Sequence, residues 1–429
     1  MKADFSNLPF RPADILLPQD CDYDKWSVVA CDQYTSQPEY WQRVEERVGR
    51  APSALRLILP ESSLDGPHVE MDIMEINSTM SRYVREGRFK TLPGAMVYVE
   101  RTLLNGRVRR GLVGMADLNA YDYESDSDAP IRATEGVVMS RIPPRVAVRK
   151  NAPIELPHAM LLADDPDRTV IEPLTARTGA MELLYDFDLM EQGGHIKGWR
   201  LTEEQLAQVA GALLALADPA AFNARYRTEN QPVMLFAVGD GNHSLATAKE
   251  CCERQKRLTP PEKWDSLPAR YALCELVNLH DESLEFEPIH RLVFHTEPEE
   301  LLDALIHRYP GARRGQEREG AGLPVRYVCA GAEGVITLPR SAHRLPVGAL
   351  QNFLDDYLLD HPGRVDYIHG GDVAREFAVR PGNIAFLLPP MAKEELFPSV
   401  IHGGVLPRKT FSMGEAHDKR FYLEARKIR

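Results

Sequence analysis

Between residues 239 and 244 the chain reads Gly239-Asp240-Gly241-Asn242-His243-Ser244, a carboxylate and an imidazole set among small, turn-tolerant residues. An Asp and a His three positions apart can share acid–base work or ligate a metal. Before them runs PVMLFAV (232–238), short and apolar enough for a buried strand. After them Leu245, Ala248, Cys251 and Cys252 recur at helical spacing. A glycine-bearing turn from a strand into a helix aims unpaired amides and the positive end of the helix dipole at one spot. Such a spot suits a phosphate or carboxylate, with Gly239, Gly241, Asn242 and Ser244 lining it. The loop is neither a Walker loop nor a GxGxxG fingerprint. A plain turn capped by Ser or Asn would use the same residues, and the residues alone do not choose.

A second strand–loop–helix unit is expected near the start. WSVVA (26–30) reads as a buried strand and empties into Cys31-Asp32-Gln33-Tyr34-Thr35. Ser36 with Glu39, and Pro38 between them, form a capping box that opens a helix. Polar groups at the carboxyl edge of such a unit sit where α/β ligands gather. Asp32 is the candidate there, although it can equally cap its own turn.

Candidate cations lie further on. Arg141, Arg145 and Arg149 fall at i, i+4 and i+8, one basic face if the segment were helical, but Pro143-Pro144 argue against a regular helix. With Arg132 they could converge on an anion; for any single arginine a solvated rim is the favoured reading. His290-Arg291 sits at an element boundary, and His290 serves as well for structure as for binding. Lys393, Lys409 and Lys419 lie among short β-prone pieces after residue 390. Asp164-Asp165-Pro166-Asp167 reads as a solvated bend. His158, His195, His280, His369 and His402 carry no spacing that singles them out.

The elements that must position these groups alternate in type. A helix is expected over 75–88, and a hairpin over 97–104 and 107–115 around Asn105-Gly106. Thr202 with Gln205 caps one helix, and Thr296 with Glu299 another. A strand over 270–280, a hairpin around 331–334, a helix over 347–359 and a strand over 384–388 follow. The expected class is mixed α/β (α+β) rather than one doubly wound sheet. At 429 residues two domains are expected, drawn at 1–230 and 231–429.

A net charge of 51 − 63 = −12 disfavours a dedicated nucleic-acid binder. Six cysteines without a CxxC pair give no zinc-ribbon or redox motif. No apolar run approaches the length of a membrane span, and the N-terminus lacks a signal-peptide core, so a cytoplasmic protein acting on a small molecule is expected, with no membrane or nucleic-acid partner.

The segments WSVVACDQYT, RRGLVGMADLNAYDY, IRATEG, GDGNHSLATA, EFEPIHRLV and FLLPPMAKEELFPSVIHGGVLPRKTF together resemble a bacterial and archaeal family catalogued as domain of unknown function number one thousand and fifteen. The family loop usually reads Ala-Asp-Gly-His-His-Arg, similar to the loop with which free serine kinases of the ParB/sulfiredoxin superfamily bind donor phosphates. Asp240, Gly241 and His243 match it, while Asn242 replaces a His and Ser244 an Arg, which removes a bidentate phosphate donor. In IRATEG the family often has His-Glu, so Glu135 is the matching carboxylate and Thr134 departs. The resemblance implies a ParB/sulfiredoxin-like strand–loop–helix unit and a small-molecule phosphotransferase. Its acceptor would be a free hydroxyl metabolite such as L-serine, and its donor a nucleotide or pyrophosphate. Asp240, His243, Glu135 and Asp32 would be the catalytic set. Arg132, Arg141, His290, Arg291 and Lys409 would meet substrate or phosphate, and magnesium, if used, would lie on Asp240 or Glu135. A non-catalytic nucleotide- or amino-acid-binding regulator is the competing reading.

Overall fold

A computed structural model describes residues 3–35, 37–64, 66–315 and 322–429. The chain forms two compact units, Met1–Leu284 with Gly414–Arg429, and Glu285–Met413. The expected division at 230 falls elsewhere for a physical reason. Strand Phe236–Asp240 pairs with Ile131–Ala133 on one side and Met160–Ala163 on the other, so a cut there would split a continuous sheet.

The first unit is organised on a ten-stranded mixed sheet. Its order runs Glu182–Asp188, His195–Arg200, Val97–Thr102, Val108–Asp117, Tyr271–Asn278, Met160–Ala163, Phe236–Asp240, Ile131–Ala133, Tyr121–Asp122, with Phe10–Arg11 joined to Val108–Asp117. Tyr271–Asn278 is central, and all but its first residue is buried, as its apolar run requires. The Asn105-Gly106 hairpin forms where expected, Gly106 taking φ +80°. The capping box of Thr202 and Gln205 is present at the start of helix Glu203–Leu216.

Three local expectations change. Residues 26–30 are not one strand: Tyr23–Trp26 is a single helical turn, and only Val28–Val29 pairs, with Phe421–Tyr422. Trp26 drives this by burying its ring fully between Tyr83 and Phe89. Helix Ile142–Arg149 does form, because its prolines occupy the first turn, where no intrahelical N–H is missed. Helix Pro298–Arg308 starts at Pro298 after Glu297, and no side chain caps it. Of the box expected at Ser36 and Glu39, Ser36 lies outside the described residues; helix Pro38–Val48 begins with its proline in the first turn.

The second unit has a seven-stranded sheet ordered Arg313–Arg314, Ala332–Leu338, Leu323–Cys329, Ile384–Leu387, Phe286–Phe294, Arg364–His369, with Phe411–Met413 also on Phe286–Phe294. Helices Pro298–Arg308, Pro346–Asp360, Gly371–Ala378 and Leu396–Gly403 complete it. The whole is mixed α/β. Among the described residues no single helix is long and apolar enough to cross a membrane.

Candidate functional site

Strand Phe236–Asp240 ends in the turn and helix Asn242–Arg257 begins at once, with Gly241 as its N-cap in the left-handed region (φ +78°). Glycine is required twice over here. A Cβ would take an unfavourable φ, and would stand 2.8 Å from Ala159 Cα and 3.0 Å from His158 Cδ2. The first rung of the helix joins Leu245 N–H to Gly241 O at 2.9 Å. The amides of Asn242, His243 and Ser244 therefore precede the helix's own ladder.

Two loop side chains are used to fasten a neighbour. Asn242 accepts from Thr134 N–H at 3.2 Å and donates to Thr134 Oγ1 at 3.3 Å, while Thr134 Oγ1 donates to Val238 O at 2.6 Å. His243 Nε2 accepts from Val138 N–H at 3.1 Å. The 134–138 segment is thus stitched to the helix start at both ends, and half-buried Glu135 lies between the stitches. Asn242 and Thr134 therefore satisfy each other.

Asp240 Oδ1 accepts from Gly241 N–H at 2.9 Å, and its Oδ2 lies 3.5 Å from Lys419 Nζ. Lys419 is buried, 7% exposed. Asp32 Oδ1 accepts from Gln33 Nε2 at 2.9 Å, and Oδ2 faces His158 Nε2 at 3.4 Å. The other ring nitrogen, His158 Nδ1, is 2.6 Å from the Tyr422 hydroxyl, which also meets Cys31 N–H at 3.1 Å and Cys31 Sγ at 3.3 Å. Burial works against a charge on Asp32, but His158, with Lys419 adding its own field, holds the carboxyl well below the ordinary range. Burial likewise opposes a charge on His158, yet the Tyr422 oxygen and Asp32 keep its proton on to well above the usual imidazole range. Burial pushes the Tyr422 hydroxyl up. Two carboxylates and two cations thus gather around the turn, beside the residue whose missing side chain lets His158 approach.

Lys419 and Tyr422 arrive on the chain's last segment, which buried arginines hold against the sheet. Arg101 donates to the carbonyls of Gly193, His417 and Lys419 at 2.5–2.9 Å and lies over the Phe421 ring. Arg109 donates to Asp418 O at 2.6 Å. Arg420 pairs with Glu275 and Glu424, and Tyr185 donates to Glu424 at 2.6 Å.

Several expected anion ligands are used elsewhere. Arg132 is buried and donates to the carbonyls of Ala129 and Pro232. The basic face of helix Ile142–Arg149 is largely spent: Arg145 pairs with Glu61 at 2.6 Å, and Arg149 with buried Glu155. Arg141 is exposed just before that helix. His290, Arg291 and Lys409 belong to the second unit. His290 Nδ1 accepts from Leu388 N–H at 3.1 Å. Arg291 is fully buried and donates to Gln351 and to the carbonyls of Ile289, Arg408 and Lys409. Lys409 supplies that carbonyl from a left-handed backbone (φ +57°), its side chain exposed. Among the described residues no three His, Cys, Asp or Glu side chains gather as a metal cage.

Sequence reasoning passed over His158, Lys419 and Tyr422. Nothing in the spacing named them.

The profile of the family described as "Protein of unknown function (DUF1015)" matches residues 11–349. The chain belongs to this family. No curated protein matches it. Among solved structures, a mutant free serine kinase in complex with AMP is similar at 11% identity and a TM-score of 0.41, over 75% of this chain and 93% of that one. A conserved hypothetical protein from Pyrococcus furiosus is similar at 10% identity and a TM-score of 0.38, over 73% and 94%. SbnI with a C-terminal truncation, from Staphylococcus aureus, gives 10% and 0.37 over 70% and 82%. At likenesses this remote, chemistry does not transfer.

Proposed function

We propose that this protein is a small-molecule phosphotransferase acting on a free hydroxyl metabolite, L-serine being the first to test, with a nucleotide or pyrophosphate as donor. Phosphoryl transfer asks little covalent chemistry of a protein. It needs donors and cations on the phosphate oxygens and a carboxylate to orient the hydroxyl. The observation that carries the reading is the gathering of Lys419, Asp240 and Asp32 around the start of helix Asn242–Arg257. The amides near Ser244 and the Lys419 ammonium would meet phosphate oxygens. Asp240 or Glu135 would take the hydroxyl proton, and Asp32 would orient the acceptor. His243, fixed through Nε2 to Val138, shapes the site more than it donates. If magnesium is used, Asp240 or Glu135 would hold it with waters and phosphate oxygens, and it would neutralise charge on the transferring group.

Incubation with L-serine, magnesium and ATP, ADP or pyrophosphate should give phosphoserine by 31P NMR, and Asp240→Ala should abolish it with the fold intact. Failure of every donor with every hydroxyl amino acid would sink the proposal.

A non-catalytic binder is the second reading. It is favoured by the commitment of Asn242 and His243 to internal bonds, and by Ser244 where the family has arginine. It expects nucleotide- or amino-acid-dependent thermal stabilisation without turnover.

A further inference from the structure

His158 has the strongest unexplained environment in the first unit. Its side chain is nearly buried, and both ring nitrogens face oxygen, Asp32 Oδ2 at 3.4 Å and Tyr422 Oη at 2.6 Å. The proton count follows from the partners. An ionised carboxylate only accepts, so Nε2 carries hydrogen. The Tyr422 oxygen receives Cys31 N–H, and its own hydrogen points to Cys31 Sγ. The lone pair left faces Nδ1, which then carries hydrogen too. On this assignment both nitrogens are donors, as in an imidazolium.

The same count describes Asp32. Gln33 occupies one lone pair of Oδ1 and His158 one of Oδ2. Its remaining lone pairs are available to a substrate donor, and its orientation is fixed from two sides. The charged groups facing this pair are Lys419 from the last segment and Asp240 through Lys419, while Cys31 and Tyr422 are the titratable neighbours.

We propose that His158, held by Tyr422, is a positioning residue that keeps Asp32 a fixed anion, so that Asp32 accepts a hydrogen bond from the acceptor's hydroxyl without removing its proton. Proton removal is left to Asp240 or Glu135. The assignment rests on the phosphotransferase reading for its substrate, but the charge state of His158 stands apart from it. Tyr422 acts one step further out, as the group that orients the ring. Neither His158 nor Tyr422 is marked by its spacing along the chain.

The full-length protein labelled with ring-15N histidine tests this by long-range 1H–15N correlation, His158→Gln assigning the resonance. The expected result is an imidazolium pattern for His158 at pH 7.5, where an unperturbed histidine is mostly neutral. Asp32→Asn should return it to the neutral pattern. A neutral His158 in the wild type, or one unmoved by Asp32→Asn, overturns the proposal. In the transfer assay Tyr422→Phe, which keeps the ring, should lower kcat on the order of tenfold to a hundredfold. The donor KM should stay constant, and the alkaline limb of kcat should move to lower pH as His158 loses its proton more easily. An unchanged kcat and pH limb overturn the positioning role. A wild type that transfers phosphate to nothing overturns the phosphotransferase reading and with it the substrate role of Asp32, but not the charge state of His158, while a neutral His158 overturns this proposal alone.

Discussion

Replacing Gly241 with alanine tests whether the turn is built as tightly as the packing says. Two costs combine. Holding a non-glycine residue in the left-handed region costs about 1–2 kcal/mol. The new Cβ would also stand 2.8 Å from Ala159 Cα and 3.2 Å from Ala159 Cβ. The first of these is backbone in a strand-leading segment and cannot rotate away, so an overpacking cost of about 1–3 kcal/mol is added. The sum is about 2–5 kcal/mol. Gly106 supplies the control: it has φ +80°, and nothing lies within 4 Å of its virtual Cβ. Gly106→Ala should therefore cost only the backbone part, and Gly106→Asn less still, since Asn tolerates this region. Gly241→Asn should recover at most the backbone part of the loss, because the contact remains. Urea denaturation followed by tryptophan fluorescence gives the comparison. Equal losses at the two positions, or full rescue of position 241 by Asn, would refute the close approach of His158 and Ala159 to the turn.

Three further outcomes are expected. Arg101→Met removes the donors of two buried carbonyls, each worth about 1–3 kcal/mol when orphaned, and of the half-buried His417 carbonyl, so amide hydrogen exchange across 417–422 should rise well before global unfolding. Glu155→Gln leaves buried Arg426 and half-buried Arg149 without their anion; a loss of about 3–5 kcal/mol is expected in the same urea assay. For Asp32 and His158 the signs set a window. The depressed Asp32 contributes above its unfolded value near pH 4 and is lost as pH falls through its lowered one. The raised His158 contributes fully below about pH 6.5 and is lost as pH rises through its higher one. The melting-temperature gap between wild type and Asp32→Asn should thus be widest between about pH 4 and 6.5 and narrow on either side.

What could be read from the chain beforehand was local. Asn105-Gly106, the Thr202/Gln205 box and the strand–glycine–helix signal at Gly241 each specify their structure within a few residues, and each is present. The prolines at 143 and 144 were misleading because their effect depends on where the helix begins, which composition does not state. Arg132 and Arg291 were read as anion ligands because guanidinium is the best planar donor for phosphate. The same five donors make it the best group for satisfying buried carbonyls, and both residues do that. Burial decides between the uses, and burial depends on the whole fold.

His158, Lys419 and Tyr422 escaped for a different reason. Tyr422 reaches the site because Phe421–Tyr422 pairs with Val28–Val29, and Lys419 because Arg101, on the Asn105-Gly106 hairpin, holds its carbonyl. The intervening chain from Glu285 to Met413 builds a separate unit, so the first unit is completed only by residues that follow it. This ordering bears on the chemistry. Asp32, His158, Asp240 and the turn at Gly241 all precede residue 284, and on their own they place Asp32 against His158 and Asp240 on the turn. The ammonium on Asp240 and the hydroxyl that orients His158 come with the final segment. A chain lacking that segment would have neither that charge balance nor that ring orientation. The candidate site is therefore a property of the closed first unit, and its organising glycine turn is necessary to it without being sufficient.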